Sequence, residues 1–321
     1  AINGGTLALS GTGSIEDSSG VTVVSGATFD ISQTSGASIT TLAGAGHVDL
    51  GDQTLTLTDA TTTFSGILED GGIGGGTVGK LTLDSTGGTE TLTGANTYHG
   101  TTTINDGTLR AGIATTFSAN SDVVLNNIDT AILNLNNYDQ TIKSLSGGTV
   151  ALAGDVRLGI ATLTITNGSN GGTWDGTISG TGNIALTTGG TFTVDGSNTY
   201  TGTTTIASGT TLAITGSGNI SQSSLVTDDG TFSISGASSS VSIKRLAGAN
   251  TGIVTLGGNT LSLTNAADTF SGIIGGTGGF TVSSGSETLS TASDNTYSGL
   301  TTIGSGATLT LTGDGTSILA S

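Results

Sequence analysis

The chain contains no cysteine, no proline and no methionine in 321 residues, and each absence narrows what it can be. Without cysteine there are no disulfides and no thiol chemistry, so stability must come from burial and backbone hydrogen bonding. Without proline no strand ladder loses a donor. Proline is tolerated only at sheet edges, so its absence fits a fold in which nearly every strand is central. Charged residues are scarce, at 9%, and one sign dominates: 23 acidic residues stand against Lys80, Arg110, Lys143, Arg157, Lys244 and Arg245, for a formal charge of −17. That balance opposes binding to polyphosphate and argues against a nucleic-acid partner. No window approaches the roughly 18 consecutive apolar residues that a helix needs to cross a bilayer.

What is present is glycine, 57 residues of it, with threonine, valine and isoleucine, all of which disfavour helix. The apolar residues are not scattered as in a disordered chain. They fall in short alternating runs such as Leu55-Thr56-Leu57, Leu81-Thr82-Leu83, Leu163-Thr164-Ile165 and Leu261-Ser262-Leu263. Alternation with period two marks half-buried strands. Turn signals bound them, among them Gly87-Gly88, Asn167-Gly168, Asp229-Gly230 and Gly257-Gly258.

The strongest signal is a block that occurs three times: Asn96-Thr97-Tyr98-x-Gly100 leading to Ile104, Gly107 and Leu109; Asn198-Thr199-Tyr200-x-Gly202 leading to Ile206, Gly209 and Leu212; and Asn295-Thr296-Tyr297-x-Gly299 leading to Ile303, Gly306 and Leu309. The tyrosines are 102 and 97 residues apart, so the repeating unit is about 100 residues long. Leu42-Ala43-Gly44, Leu145-Ser146-Gly147 and Leu246-Ala247-Gly248 keep the same phase, as do Phe64-Ser65-Gly66, Trp174-Asp175-Gly176 and Phe270-Ser271-Gly272. The units run approximately over 2–103, 104–205 and 206–302, with a partial unit over 303–321. Because Ile303 to Ile318 reads like Ile2 to Ile15, the chain is expected to be a window of a longer array that could stack end to end.

Short strands with short turns suit a sandwich, an antiparallel barrel or a β-helix, and the tandem repeat favours the last. With coils of roughly 20 to 25 residues, three units give about 13 to 15 coils. The expected architecture is one continuous all-β solenoid. Leu, Ile and Val fill it, Phe29, Phe64, Phe192, Phe232 and Phe270 plug it, and Thr and Ser face water.

The block Asn-Thr-Tyr-x-Gly-x-Thr-Thr-Ile followed by Gly-Thr-Leu resembles the passenger-associated β-strand repeat of bacterial autotransporters. The resemblance covers residues 96–109, 198–212 and 295–309, and the start of the chain carries its second half. It implies a right-handed parallel β-helix exported across the outer membrane of a Gram-negative bacterium and acting at or beyond the cell surface. The absence of cysteine agrees with it.

Chemistry is thin by comparison. Catalytic β-helices gather several carboxylates in one cleft. Here the only adjacent acidic pairs are Glu16-Asp17, Glu69-Asp70 and Asp228-Asp229, read as solvated turn residues. His47 and His99 have no second histidine nearby, and Gly71-Gly72-Ile73-Gly74 lacks the aspartate of a calcium-binding nonapeptide. No catalytic, cofactor or metal residues are assigned. Tyr98, Tyr200 and Tyr297 are read as structural corners, with asparagine bonding backbone and the ring covering a coil edge, rather than as sugar-stacking platforms. Thr61-Thr62-Thr63, Thr101-Thr102-Thr103 and Thr203-Thr204-Thr205 raise an ice-binding reading, for which the coils are too irregular. The expectation is therefore a non-enzymatic extracellular adhesin or self-associating fibre, partnered by itself or by a host or biofilm ligand. A carbohydrate-binding or carbohydrate-active β-helix is the alternative.

Overall fold

The computed structural model describes residues 1–126, 130–148, 154–167, 172–290 and 294–313. The second half of the Asn167-Gly168 turn and the tail of the partial repeat, including Ile318, lie outside these residues. Among the described residues every ordered element is a strand and none is a helix. Each strand pairing is parallel, as in Val21 on Leu42, Leu55 on Leu81 and Phe192 on Leu212. About 14 turns of parallel β-solenoid result, distributed over two compact units, Ala1–Leu163 and Thr164–Ser321. A turn takes between 18 residues, from Ala37 to Leu55, and 28 residues, from Phe64 to Leu92.

In the first unit one stack runs through Val21–Val23, Leu42–Gly44, Thr63–Phe64, the end of Lys80–Leu92, the end of Thr102–Ala111, Ala131–Asn134 and Asp155–Arg157. A second runs through Ala37–Ile39, Thr54–Leu57, the start of Lys80–Leu92, the start of Thr102–Ala111, Asp122–Leu125 and Ser144–Gly147. The third comprises Gly5–Gly11, Ala27–Thr34, His47–Asp49 and Ile67–Glu69. Within the second unit, Gly190–Val194, Thr210–Gly216, Thr231–Ala237, Ile253–Thr255 and Ile273–Gly275 form one stack. Val241–Ile243, Leu261–Leu263, Phe280–Val282 and Thr301–Ile303 form another.

Period-two alternation puts every second side chain inside, and parallel stacking sets like on like. Phe192, Leu212, Phe232, Val254 and Ile274 form one such inner ladder, each at most 2% exposed. Each of these side chains contributes about 1.5 to 3 kcal/mol on burial. The five phenylalanines expected as plugs are all inside, at 0–1% exposure, joined by Phe280 and Trp174. The expectation that threonine and serine face water fails in part. Thr102, Thr116, Ser118, Ser121, Ser144, Thr204, Thr210 and Ser223 are buried, because corners turn short polar side chains inward to satisfy backbone groups there.

Candidate functional site

The repeated block folds into a clamp across consecutive turns. Asn96 Oδ1 accepts the N–H of Leu68 on the preceding turn at 2.8 Å, while its Nδ2 donates to Gly94 O at 3.2 Å and to Thr116 O, one turn on, at 2.8 Å. Asn198 does the same with Ile178 N–H at 2.8 Å, Gly196 O at 3.1 Å and Asn219 O at 3.2 Å. Asn295 accepts the N–H of Ile274 at 2.9 Å, and the carbonyls equivalent to the other two partners lie outside the described residues. Only a primary amide offers an acceptor and two donors at once, which is why the corner takes asparagine.

The tyrosine rings do not cover a coil edge. Tyr98, Tyr200 and Tyr297 point inside, at 1%, 2% and 0% exposure, and none presents a stacking face. Their hydroxyls meet the threonine four residues on: Thr102 at 2.5 Å, Thr204 at 2.6 Å and Thr301 at 2.8 Å. In the first two copies the chain of hydroxyls continues to Ser121 or Ser223 and ends on the carbonyl of Gly100 or Gly202. A carbonyl only accepts, so the protons run from tyrosine through threonine and serine to it. Burial pushes the Tyr98 and Tyr200 hydroxyls up to about 12, so both stay protonated donors. Thr102 and Thr204, the middle residues of two threonine triplets, thus face inward.

Two glycines of the block are dictated by space and by backbone. A Cβ at Gly100 would lie 2.4 Å from Gly79 O, one at Gly202 2.0 Å from Gly182 O, and one at Gly299 2.4 Å from the Gly278 carbonyl carbon. Gly107, Gly209 and Gly306 have φ of +89°, +78° and +76°, the left-handed region closed to most side chains. Ile104, Ile206, Leu109 and Leu212 are core residues, whereas Ile303 is 51% exposed and Leu309 is half-buried.

Acidic residues depart most from expectation. Glu16 and Asp17 are exposed, as expected of a turn. Glu69 and Asp70 are instead half-buried and engaged: Glu69 meets His47 Nδ1 at 2.5 Å, and Asp70 accepts Gly79 N–H at 2.7 Å and meets His99 Nδ1 at 2.7 Å. His47 begins the strand His47–Asp49. Asp228 is fully buried at a strand end, with one oxygen on Gly230 N–H at 3.1 Å and the other unbonded, and burial raises it to about 7. Asp30, Asp49 and Glu69 stack on successive turns. Burial, then the charges of Glu69 and Asp30, lift Asp49 to about 6. Asp30 is already satisfied by Ser32 and by the Ile73 N–H, and no metal-holding group of three such side chains occurs among the described residues.

Sequence reading missed two glutamates inside the core. Glu90, Phe192 and Glu287 occupy one position of the repeat, each paired with the leucine of its block, Leu109, Leu212 or Leu309. Both glutamates are 0% exposed. Thr62 Oγ1 lies 2.6 Å from Leu42 O and 2.9 Å from Glu90 Oε2. Its single proton can serve only one of the two acceptors at a time. Burial raises Glu90 to about 7, with the Thr62 hydrogen bonds opposing. Glu287, with neither oxygen bonded and Asp268 beside it, is pushed by burial first and by that charge second to about 9. Superposing the repeats was the available signal, since a phenylalanine in one copy marks the position as inward. These carboxyls are sealed from substrate and cannot act as an acid and base pair on one.

Residues 87–111 and 187–214 match the family described as Passenger-associated-transport-repeat. The chain carries autotransporter passenger repeats. The two passenger-repeat matches contain the inward Glu90 and Phe192 and the clamp residues up to Leu109 and Leu212. A stretch of 143 residues, 44% of the chain, is 42% identical to the Adhesin BmaC autotransporter of Brucella suis biovar 1 (strain 1330). That stretch spans 4% of the length of the Brucella protein. No solved structure matches the chain at a significant level.

Proposed function

We propose that the chain is a non-enzymatic segment of an autotransporter passenger, displayed at or beyond the surface of a Gram-negative cell, where its solenoid serves as an adhesin-like scaffold. The observation that carries this reading is the 42% identity over 143 residues to an adhesin. The geometry agrees with it in two respects. The asparagines, tyrosines and glycines of the repeated block are spent on holding turns together, and the strongly perturbed carboxyls at Glu90, Asp228 and Glu287 are buried. What remains for partners is the outer face, rich in threonine and serine hydroxyls, which suits a surface ligand or the side of a second copy.

The test uses beads coated with the purified chain and incubated with cultured mammalian cells. Saturable attachment that soluble chain competes away is expected. Attachment no greater than that of albumin-coated beads would overturn the adhesive reading. Release of reducing ends from a panel of polysaccharides would overturn the non-enzymatic one.

A further inference from the structure

One arginine is left without the partner its relatives have. Arg245 forms a fork on Asp268 at 2.6 Å through two nitrogens, and Arg157 meets Asp155 at 3.4 Å. Arg110 has no carboxylate partner among the described residues, in a chain with 23 acidic residues. Its Nε donates to Thr91 Oγ1 at 3.1 Å, which fixes the plane of the guanidinium and leaves the terminal nitrogens available.

The guanidinium edges a surface depression of about 370 Å³, at the small end of ligand sites. One wall is Thr61 to Thr63. The other is a bulge in the strand Lys80–Leu92, where the register slips between Asp84 and Thr89 and Gly87 takes φ of +71°. Thr89 and Gly88 complete the lining. Glu90 lies beneath, hydrogen-bonded to Thr62, and burial raises it to about 7, which weakens the negative charge it sets against the arginine.

The repeats supply an internal control. Thr91 pairs with Arg110, and the matching pairs in the later copies are Thr193 with Ala213 and Thr288 with Thr310. The scaffold therefore does not need an arginine there. A cation held in one copy only, without a protein carboxylate and among hydroxyls, is placed for an anion brought by a ligand.

We propose that this depression binds the carboxylate of an acidic sugar, with Arg110 forking the carboxylate and the hydroxyls of Thr61, Thr63 and Thr89 meeting the ring. This names a ligand class for the adhesive reading and rests on it. With no aromatic floor, a single sugar binds weakly, and strength would come from many copies on a surface.

The test titrates the full chain with glucuronate, followed by NMR, with glucose and acetate as separate probes. Glucuronate is expected to shift the amides of Thr61 to Thr63, Thr89 and Arg110 saturably, and to bind about tenfold more tightly than either control. Arg110→Ala, a residue the equivalent place already accepts in Ala213, should weaken glucuronate at least about tenfold and leave the fold intact, while Arg157→Ala leaves binding unchanged. Equal binding of acetate and glucuronate, or an Arg110→Ala variant that binds as the wild type does, overturns the proposal. The bead assay separates the two levels. Adhesion that survives Arg110→Ala removes this site and keeps the adhesin, whereas glucuronate binding without cell attachment does the reverse.

Discussion

Replacing Glu287 by glutamine should abolish a pH-dependent loss of stability that the wild-type turn carries. The folded carboxyl is held protonated up to about 9, against an ordinary value of 4.5, chiefly because it is buried and then because Asp268 is adjacent, with Arg245 opposing. The unfolded chain therefore releases this proton first. Stability is undiminished below about pH 4.5, falls as pH rises through the interval, and levels off above about pH 9. Between about pH 5 and about pH 8 the loss accumulates to about 4 kcal/mol, a ceiling that water reaching the carboxylate through local opening lowers. The assay is hydrogen exchange measured by mass spectrometry on peptides containing Ser286–Ser290 and Thr308–Thr312, comparing wild type with Glu287→Gln at each pH so that intrinsic exchange cancels. The wild type should lose protection relative to the variant as pH rises. A gap between the two proteins that is the same at both pH values would refute the argument, since a buried amide adds a constant cost but no pH dependence.

Gly202→Ala should cost about 2 to 4 kcal/mol, because the added methyl meets the Gly182 carbonyl at 2.0 Å and neither backbone can yield; urea unfolding followed by the single buried Trp174 reads it. Asn198→Ala strips partners from the Ile178 N–H and from two carbonyls, with an expected loss of about 3 kcal/mol in the same assay. Tyr200→Phe keeps the ring and removes only the head of the hydroxyl chain, so a smaller loss of about 1 kcal/mol is expected in thermal unfolding.

The fold was legible because two periodicities agree. Alternation in runs such as Leu55-Thr56-Leu57 assigns strands, and the phase of the tyrosine block assigns stacking, which together leave little room for a sandwich. The asparagine corner was legible as well, since asparagine recurring at a turn signals a side chain that bonds backbone. The direction of the tyrosine rings was not, because a tyrosine suits either a wet edge or a buried hydroxyl with a partner, and only the distance to Thr102 or Thr204 decides. Charge misled for a related reason. Asp228 beside Asp229 reads as a turn, yet the first belongs to the strand Leu225–Asp228 and faces inward by the same alternation that buries Val226. The depression at Arg110 had no linear signature, because its walls come from three successive turns and its shape from a register slip that composition does not encode.

The repeated block acts as a structural clamp, and the proposed function lies on the faces it supports. Amide exchange mapped residue by residue by NMR tests this most directly. The predicted result is slow exchange at the Leu68, Ile178 and Ile274 N–H groups, which the three asparagines cap, with Asn198→Asp accelerating Ile178 and leaving Leu68 unchanged. Exchange at these three amides as fast as in exposed turns would contradict the clamp and reopen the block as a binding surface.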